Sequence, residues 1–254
     1  MTTYGSTNAS PTLTSIKGLG SDIEIPHEGM TVETSFKISG TAAAGQNVVV
    51  FDGDSPKGSA TADATTGQWS LPIGGLTPST HSFTAKTPDG SQSYPARTFT
   101  LLPQSFTEEF EDYPQGSVTT LETNYMTITS AAQSRSYLKI INSGGEHYLY
   151  FVSRNEESLS ATMEIKVPCS RIELRYSVYS NGTPDGVFTV KFYDDQATLL
   201  ETLEIPTLEH TDYLKVAVER PGIKTIEFSL DGASADSGNL LTVSVDTISF
   251  TAQT

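Results

Sequence analysis

The sequence predicts an all-β protein built from two β-sandwich domains, and three observations carry that expectation. Short runs rich in β-branched and aromatic residues recur along the chain at a spacing of roughly ten residues, the habit of sandwich strands. Turn signals built on Gly stand between the runs. No segment sustains the helical period, whereas many alternate apolar and polar residues with a period of two.

In the first domain, residues 12–102, the runs are Thr12–Ile16, Thr34–Ser39, Asn47–Phe51, Ser59–Asp63, Gln68–Ile73, His81–Lys86 and Ala96–Leu102. Between them stand Gly18-Leu-Gly20, Ala44-Gly45, Asp52-Gly53, Thr66-Gly67, Gly74-Gly75 and Asp89-Gly90. Seven strands is the immunoglobulin-like number, although no cysteine pair is present to join the sheets. Residues 1–11 read as a flexible lead-in. Alternation along Gln68–Ile73 points Trp69 between the sheets, as core. His81 is placed near a strand edge, without a ligand role.

Several motifs of this domain resemble, in order and spacing, the bacterial Ig-like modules strung in tandem in surface adhesins and secreted proteins. They are Ile38-Ser-Gly-Thr-Ala42, Gly45 to Gly53, Gly58 to Asp63, Gly67-Gln-Trp-Ser70 and His81 to Ala85. The resemblance implies a spacer or presentation role, not chemistry.

In the second domain, residues 103–254, Tyr137–Asn142 and His147–Val152 flank Ser143-Gly-Gly145 as a hairpin. Further strands are expected at Ala161–Val167, Arg171–Tyr179, Val187–Tyr193, Leu199–Ile205, Tyr213–Val218, Thr225–Leu230 and Leu240–Thr251, with turns at Asn181-Gly182 and Asp185-Gly186. Alternation sets Ile172, Leu174, Tyr176 and Val178 against Arg175 and Tyr179. It likewise sets Phe188, Val190 and Phe192 against Lys191 and Tyr193, and Leu214, Val216 and Val218 against Tyr213 and Lys215. If these strands share a sheet, its outer face gathers Arg175, Tyr179, Lys191, Tyr193, Tyr213 and Lys215. Rings beside long polar side chains suit stacking on sugars and bonding to their hydroxyls. An ordinary solvated sheet face has the same composition.

The segment Ser105 to Gly116 interleaves Phe106, Phe110 and Tyr113 with Glu108, Glu109, Glu111 and Asp112, then closes on Pro114 and Gly116. Too apolar for a linker and too acidic for a core strand, it reads as the first strand of the second domain. Taken with Leu241 to Phe250, it resembles the two ends of a jelly-roll carbohydrate-binding module. That resemblance implies that first and last strands pair. It also implies a structural Ca²⁺ held by Glu109, Glu111 and Asp246, with Asp112 beside them. Independently, alternation places Glu109 and Glu111 on one face, and Ca²⁺ seeks six to eight oxygens.

The formal net charge of −15 is shared unevenly. Residues 1–102 carry 5 Lys/Arg and 8 Asp/Glu, net −3, while residues 103–254 carry 10 and 22, net −12. A domain this acidic repels nucleic acid and anionic lipid, so neither is expected as a partner. No run reaches the roughly 20 apolar residues of a membrane span, and the start lacks the regions of a signal peptide. The single cysteine, Cys169, excludes an intrachain disulfide and reads as packed.

No nucleophile elbow, zinc-spaced histidine pair or phosphate-cradling Gly loop is present, and Glu209 to Asp212 reads as a turn as readily as a ligand set. The expectation is a non-catalytic binding protein, secreted or at the cell surface, whose second domain takes a glycan or another surface ligand. The alternative is a spacer or protein-binding tail of a larger adhesin or toxin assembly. A polysaccharide-processing enzyme is the second alternative.

Overall fold

The computed structural model describes residues 10–131, 135–154, 157–180, 186–206, 210–231 and 240–253. The turn expected at Asn181-Gly182, most of the lead-in, Glu209 and the side chains of His210 and Asp212 lie outside the described residues. Among the described residues there is no helix. The chain divides into two compact units, one reaching to Pro103 and one running Gln104–Gln253.

The first unit holds β1 (Thr12–Gly18), β2 (Gly29–Thr31), β3 (Phe36–Thr41), β4 (Asn47–Asp52), β5 (Ser55–Thr61), β6 (Gln68–Ile73), β7 (Ser79–Lys86) and β8 (Arg97–Leu101). They form a three-stranded sheet, β1-β3-β6, and a five-stranded sheet, β2-β8-β7-β4-β5. All seven expected runs are strands. The addition is β2, three residues long and parallel to β8, too short for alternation to announce.

Inward residues of both sheets, among them Ile16, Phe36, Ile38, Val50, Trp69, Phe83 and Phe99, share one core. Phe36 and Phe99 meet across the sheets at 4.9 Å. Trp69 is 3% exposed, as its alternation requires. His81 departs from expectation, for it is buried and lies close to the rings of Phe83 and Phe99. Burial is possible because its polar atoms find partners: Nδ1 lies 2.7 Å from Asp52 Oδ2 and Nε2 lies 3.0 Å from the Thr77 carbonyl oxygen.

The second unit holds β9 (Ser105–Glu108), β10 (Gly116–Ser117), β11 (Thr120–Glu122), β12 (Met126–Ser130), β13 (Tyr137–Ser143), β14 (Glu146–Arg154), β15 (Leu159–Ser180), β16 (Val187–Tyr193), β17 (Leu199–Pro206), β18 (His210–Asp231) and β19 (Leu240–Ala252). Where the sequence suggests two strands each, β15 and β18 are single strands of 22 residues. Each bends where its proline falls. The β15–β18 ladder lapses between Glu164 and Cys169, around Pro168, and on β18 the same place holds Pro221 and Gly222, the latter at φ 82°. Proline offers no N–H to a ladder, and glycine accepts the positive φ.

The bends fold one hydrogen-bonded network into two layers. The front layer runs β10-β13-β14-β19, then the later part of β15 and the earlier part of β18. The back layer runs β11-β12, the earlier part of β15, the later part of β18, then β16-β17. Phe151 of the front layer meets Phe188 and Phe228 of the back at 5.5 and 5.3 Å, which closes the sandwich. Cys169 is fully buried at the bend, and burial pushes its thiol up to about 12, so it is packing and not a nucleophile.

First and last strands pair. β9 lies against β19 with Phe106 opposite Phe250 and Glu108 opposite Ile248. Phe106 stacks on Phe250 at 4.9 Å and on Tyr125 at 4.4 Å.

Candidate functional site

Register assembles the outer face of the front layer. Inward Leu138, Leu149, Phe151, Val243, Val245, Leu174 and Val178 are all buried. Their neighbours therefore point away from the core. One line across the sheet reads Lys139, Tyr150, Ser244, Ser177. The line beside it reads Tyr137, Val152, Thr242, Tyr179. Two serines thus lie low among tyrosines. Tyr179 is 47% exposed, while Tyr137 and Tyr150 are half-buried with Lys139 Nζ 5.4 Å from each ring centre.

On the other side of the serine line stands a coupled group. The β15–β19 register skips one residue, Arg175 facing Thr247 and Tyr176 facing Val245, so Asp246 is the extra residue of a β-bulge. Arg175 Nη1 donates to Asp246 Oδ2, and the Thr247 hydroxyl donates to the same oxygen at 3.0 Å. The Arg175 guanidinium also lies 4.5 Å over the Tyr213 ring. Tyr213, from β18, stacks on Tyr148, from β14, at 5.9 Å. The two rings therefore reach toward each other across β19 and β15, the strands that carry Asp246 and Arg175. The Tyr148 hydroxyl donates to Glu146 Oε2 at 2.8 Å. Burial first, then its bonds with Tyr213 and Glu146, hold that phenol above its ordinary value.

Four of the six expected ligand residues share this face: Arg175, Tyr179, Tyr213 and Lys215. Lys215 is spent on Glu173, at 3.1 Å, and Arg171 bonds the same carboxylate at 2.8 Å. Those two cations, Arg171 foremost, hold the Glu173 carboxyl below its usual range. The expectation for Lys191 and Tyr193 is corrected. β16 pairs with the later part of β18, so both residues belong to the back layer, where the Tyr193 hydroxyl donates to Glu227 at 2.8 Å. The sequence reading missed Tyr137, Lys139, Tyr148 and Tyr150. Their period-two spacing was visible in the hairpin, but the strand order that sets them beside Tyr179 and Tyr213 was not.

Of the expected cation set, Glu109, Glu111 and Asp112 line one small hollow beside β9, and Asp246 is not among its lining. β9 ends at Glu108, and Phe110 is fully buried with φ 61° between the exposed Glu109 and Glu111. Glu109 and Asp112 are exposed. Glu111 accepts the His147 backbone N–H at 2.8 Å, and Asp246 is held by Arg175. Among the described residues no three His, Cys, Asp or Glu side chains are grouped to hold a metal ion as they stand. The buried carboxylate here is Glu108, which accepts the Phe110 N–H at 3.1 Å. Desolvation raises its carboxyl above the ordinary range. It lines a small hollow of about 180 Å³ together with Glu109, Glu111, Asp112, Tyr113 and Asn124. A broader hollow of about 620 Å³ in the first unit is edged by Thr14, Ser39, Gln68 and Ser70, but its one aromatic, Trp69, is sealed in the core.

No family model matches the chain, and no curated protein matches it. Solved structures do. The K2 cleaved adhesin domain of Lys-gingipain is similar at TM-score 0.39 and 16% identity, over 58% of this chain and 99% of that one. CBM29_1, a family 29 carbohydrate-binding module from Piromyces equi, gives 0.37 and 11%, over 59% and 91%. The CBM22-1–CBM22-2 tandem of Xyn10C from Paenibacillus barcinonensis gives 0.36 and 13%, over 99% and 94%. Likeness at this level does not transfer a function.

Proposed function

We propose that the second unit is a carbohydrate-binding module which lays a glycan across the outer face of its front layer. The first unit, read as Ig-like, serves to present it outside the cell or on its surface. One observation carries the reading: Ser177 and Ser244 lie low in line with Tyr150, between Tyr137 and Tyr179 on one side and the Tyr148–Tyr213–Arg175 group on the other. Tyrosine faces take the C–H face of a pyranose, and the floor hydroxyls bond its hydroxyls. Asp246, near Ser244, is engaged by Arg175, and Glu146 at the hairpin end of β14 accepts the Tyr148 hydroxyl, which supports holding a sugar over acid–base chemistry on it.

The test is a glycan array probed with the full chain, followed by calorimetric titration of whatever binds. Binding to no glycan while a protein partner is held overturns the reading in favour of the spacer or tail alternative.

A further inference from the structure

We infer that Arg175 is a positioning residue of this face: pinned by Asp246, it sets the rings of Tyr213 and Tyr148 in place before a sugar arrives. The inference rests on the glycan reading above. The bulge in β19 makes the arrangement possible. Val245 and Ile248 are both fully buried, so Asp246 and Thr247 share the stretch where a regular strand turns one side chain outward. The carboxylate and the hydroxyl that donates to it, at 3.0 Å, therefore stand together beside Arg175.

From that carboxylate the contacts run on without a break. The Arg175 guanidinium lies 4.5 Å over the Tyr213 ring, and Tyr213 stacks on Tyr148 at 5.9 Å with the ring planes 12° apart. The Tyr148 hydroxyl then donates to Glu146 at 2.8 Å. Both ends of the chain are carboxylates, and its members come from β19, β15, β18 and β14. A guanidinium suits the middle place because its plane lies on a ring while its edge donates to a carboxylate; an ammonium is a point charge with no plane. Asp246 is only 6% exposed, and an ion pair so shielded gains a fold little over apolar side chains of the same size. What it does supply is a fixed direction for the guanidinium and the ring beneath it.

Fixing those rings in advance matters to a ligand. A side chain that must be ordered on binding weakens association by roughly two- to tenfold. Tyr213 and Tyr148 are held already, whereas Tyr179, across the serine line, stands 47% exposed. The face thus has one wall set beforehand and one that the ligand must order.

The experiment is affinity electrophoresis of the full chain through hydroxyethylcellulose, galactan, carboxymethylcellulose and polygalacturonate. Near-ultraviolet circular dichroism of the tyrosine bands and denaturant unfolding are run beside it. The variants are Arg175→Lys, which keeps a positive charge for Asp246, Arg175→Met, and Arg220→Gln, which removes an ion pair to Glu201 outside this group. Expected, for whichever polymer retards the parent, is at least about fivefold weaker retardation of both Arg175 variants, with the same loss of the tyrosine bands. Arg220→Gln is retarded as the parent is. Unchanged retardation of either Arg175 variant, even one that unfolds at lower denaturant, overturns the inference and leaves the glycan reading standing. So does a matching loss in Arg220→Gln, which traces the effect to the stability of the unit. No retardation of the parent by any polymer, with no binding on an array of neutral and acidic glycans, overturns the glycan reading itself and the inference with it.

Discussion

Arg175 donates to Asp246 across the β-bulge where β19 passes β15, two residues 71 positions apart brought onto one face of the front layer. Asp246 is buried although its strand neighbours Ser244 and Ser249 are half-open, because Arg175 lies against it. Removing the cation alone leaves that carboxylate uncompensated. Arg175→Met is therefore expected to destabilise the second unit by about 1–3 kcal/mol, less than the roughly 3–5 kcal/mol of a fully buried pair, since the arginine itself is part-exposed. Asp246→Asn should cost less, and the double variant less than the sum, in denaturant titrations followed by circular dichroism. Additive losses would show that the pair is not coupled.

The same pair bears on calcium. A resident ion would stabilise the native state and chelation would release that contribution. Here Asp246 is engaged by Arg175 and Glu111 by His147, and no cluster of three suitable ligands forms among the described residues. The melting temperature of the full chain is expected to be the same with and without EDTA. A fall on chelation that Ca²⁺ reverses would show that these carboxylates regroup around an ion.

How far the sequence discloses this depends on the range of the interaction. Period-two alternation is local, so the longer strands of the first unit and the inward set of Phe188, Val190 and Phe192 were legible. The pairing of the first strand with the last was legible through a resemblance spanning the two ends of the unit, though not its register. Strand order is not local. Tyr193 and Tyr179 have the same kind of spacing, yet the bends at Pro168 and Pro221 carry their strands into opposite layers. Prolines that read as strand ends are here the corners of continuous strands. Phe110 takes a left-handed conformation just after β9, and nothing in its side chain announces a positive φ.

Gly40 tests the first unit. It faces Trp69 across β3 and β6, and a Cβ there would lie 1.9 Å from the Thr12 carbonyl oxygen and 2.7 Å from the Trp69 ring. Backbone cannot retreat from such a clash without breaking the β1–β3 ladder. Gly40→Ala is expected to destabilise this unit by more than about 3 kcal/mol. Trp69 is the single tryptophan of the chain, so its emission reports the first unit alone. An unchanged fluorescence transition would contradict the packing described.

Glu108 gives a pH dependence with a definite sign. Burial raises its carboxyl above the ordinary 4.5, so the native state favours the protonated form. Its contribution to stability is full below the ordinary value and is lost as pH rises through the raised one. Glu108→Gln keeps an acceptor for the Phe110 N–H and never ionises. The variant is expected to melt higher than the parent at pH 7, with the advantage narrowing as pH falls toward 4.5. An advantage that grows on acidification would reverse the assignment.

The glycan face is tested by comparing tyrosines that the sequence could not tell apart. Tyr150 and Tyr179 flank the low line of Ser244 and Ser177, while Tyr193 projects from the back layer and bonds Glu227. Loss of one stacking ring at the centre of a binding surface costs about 1–2 kcal/mol, or roughly a five- to thirtyfold weaker association. Tyr150→Ala and Tyr179→Ala are expected to show that loss in titrations with a bound glycan. Tyr193→Ala, equally aromatic and in the same unit, is expected to bind as the parent does. If all three variants weaken binding alike, the effect belongs to the fold of the unit, and the front face loses its claim. If only Tyr193→Ala weakens it, the ligand lies on the back layer, and the arrangement of Arg175, Tyr148 and Tyr213 serves the sandwich alone.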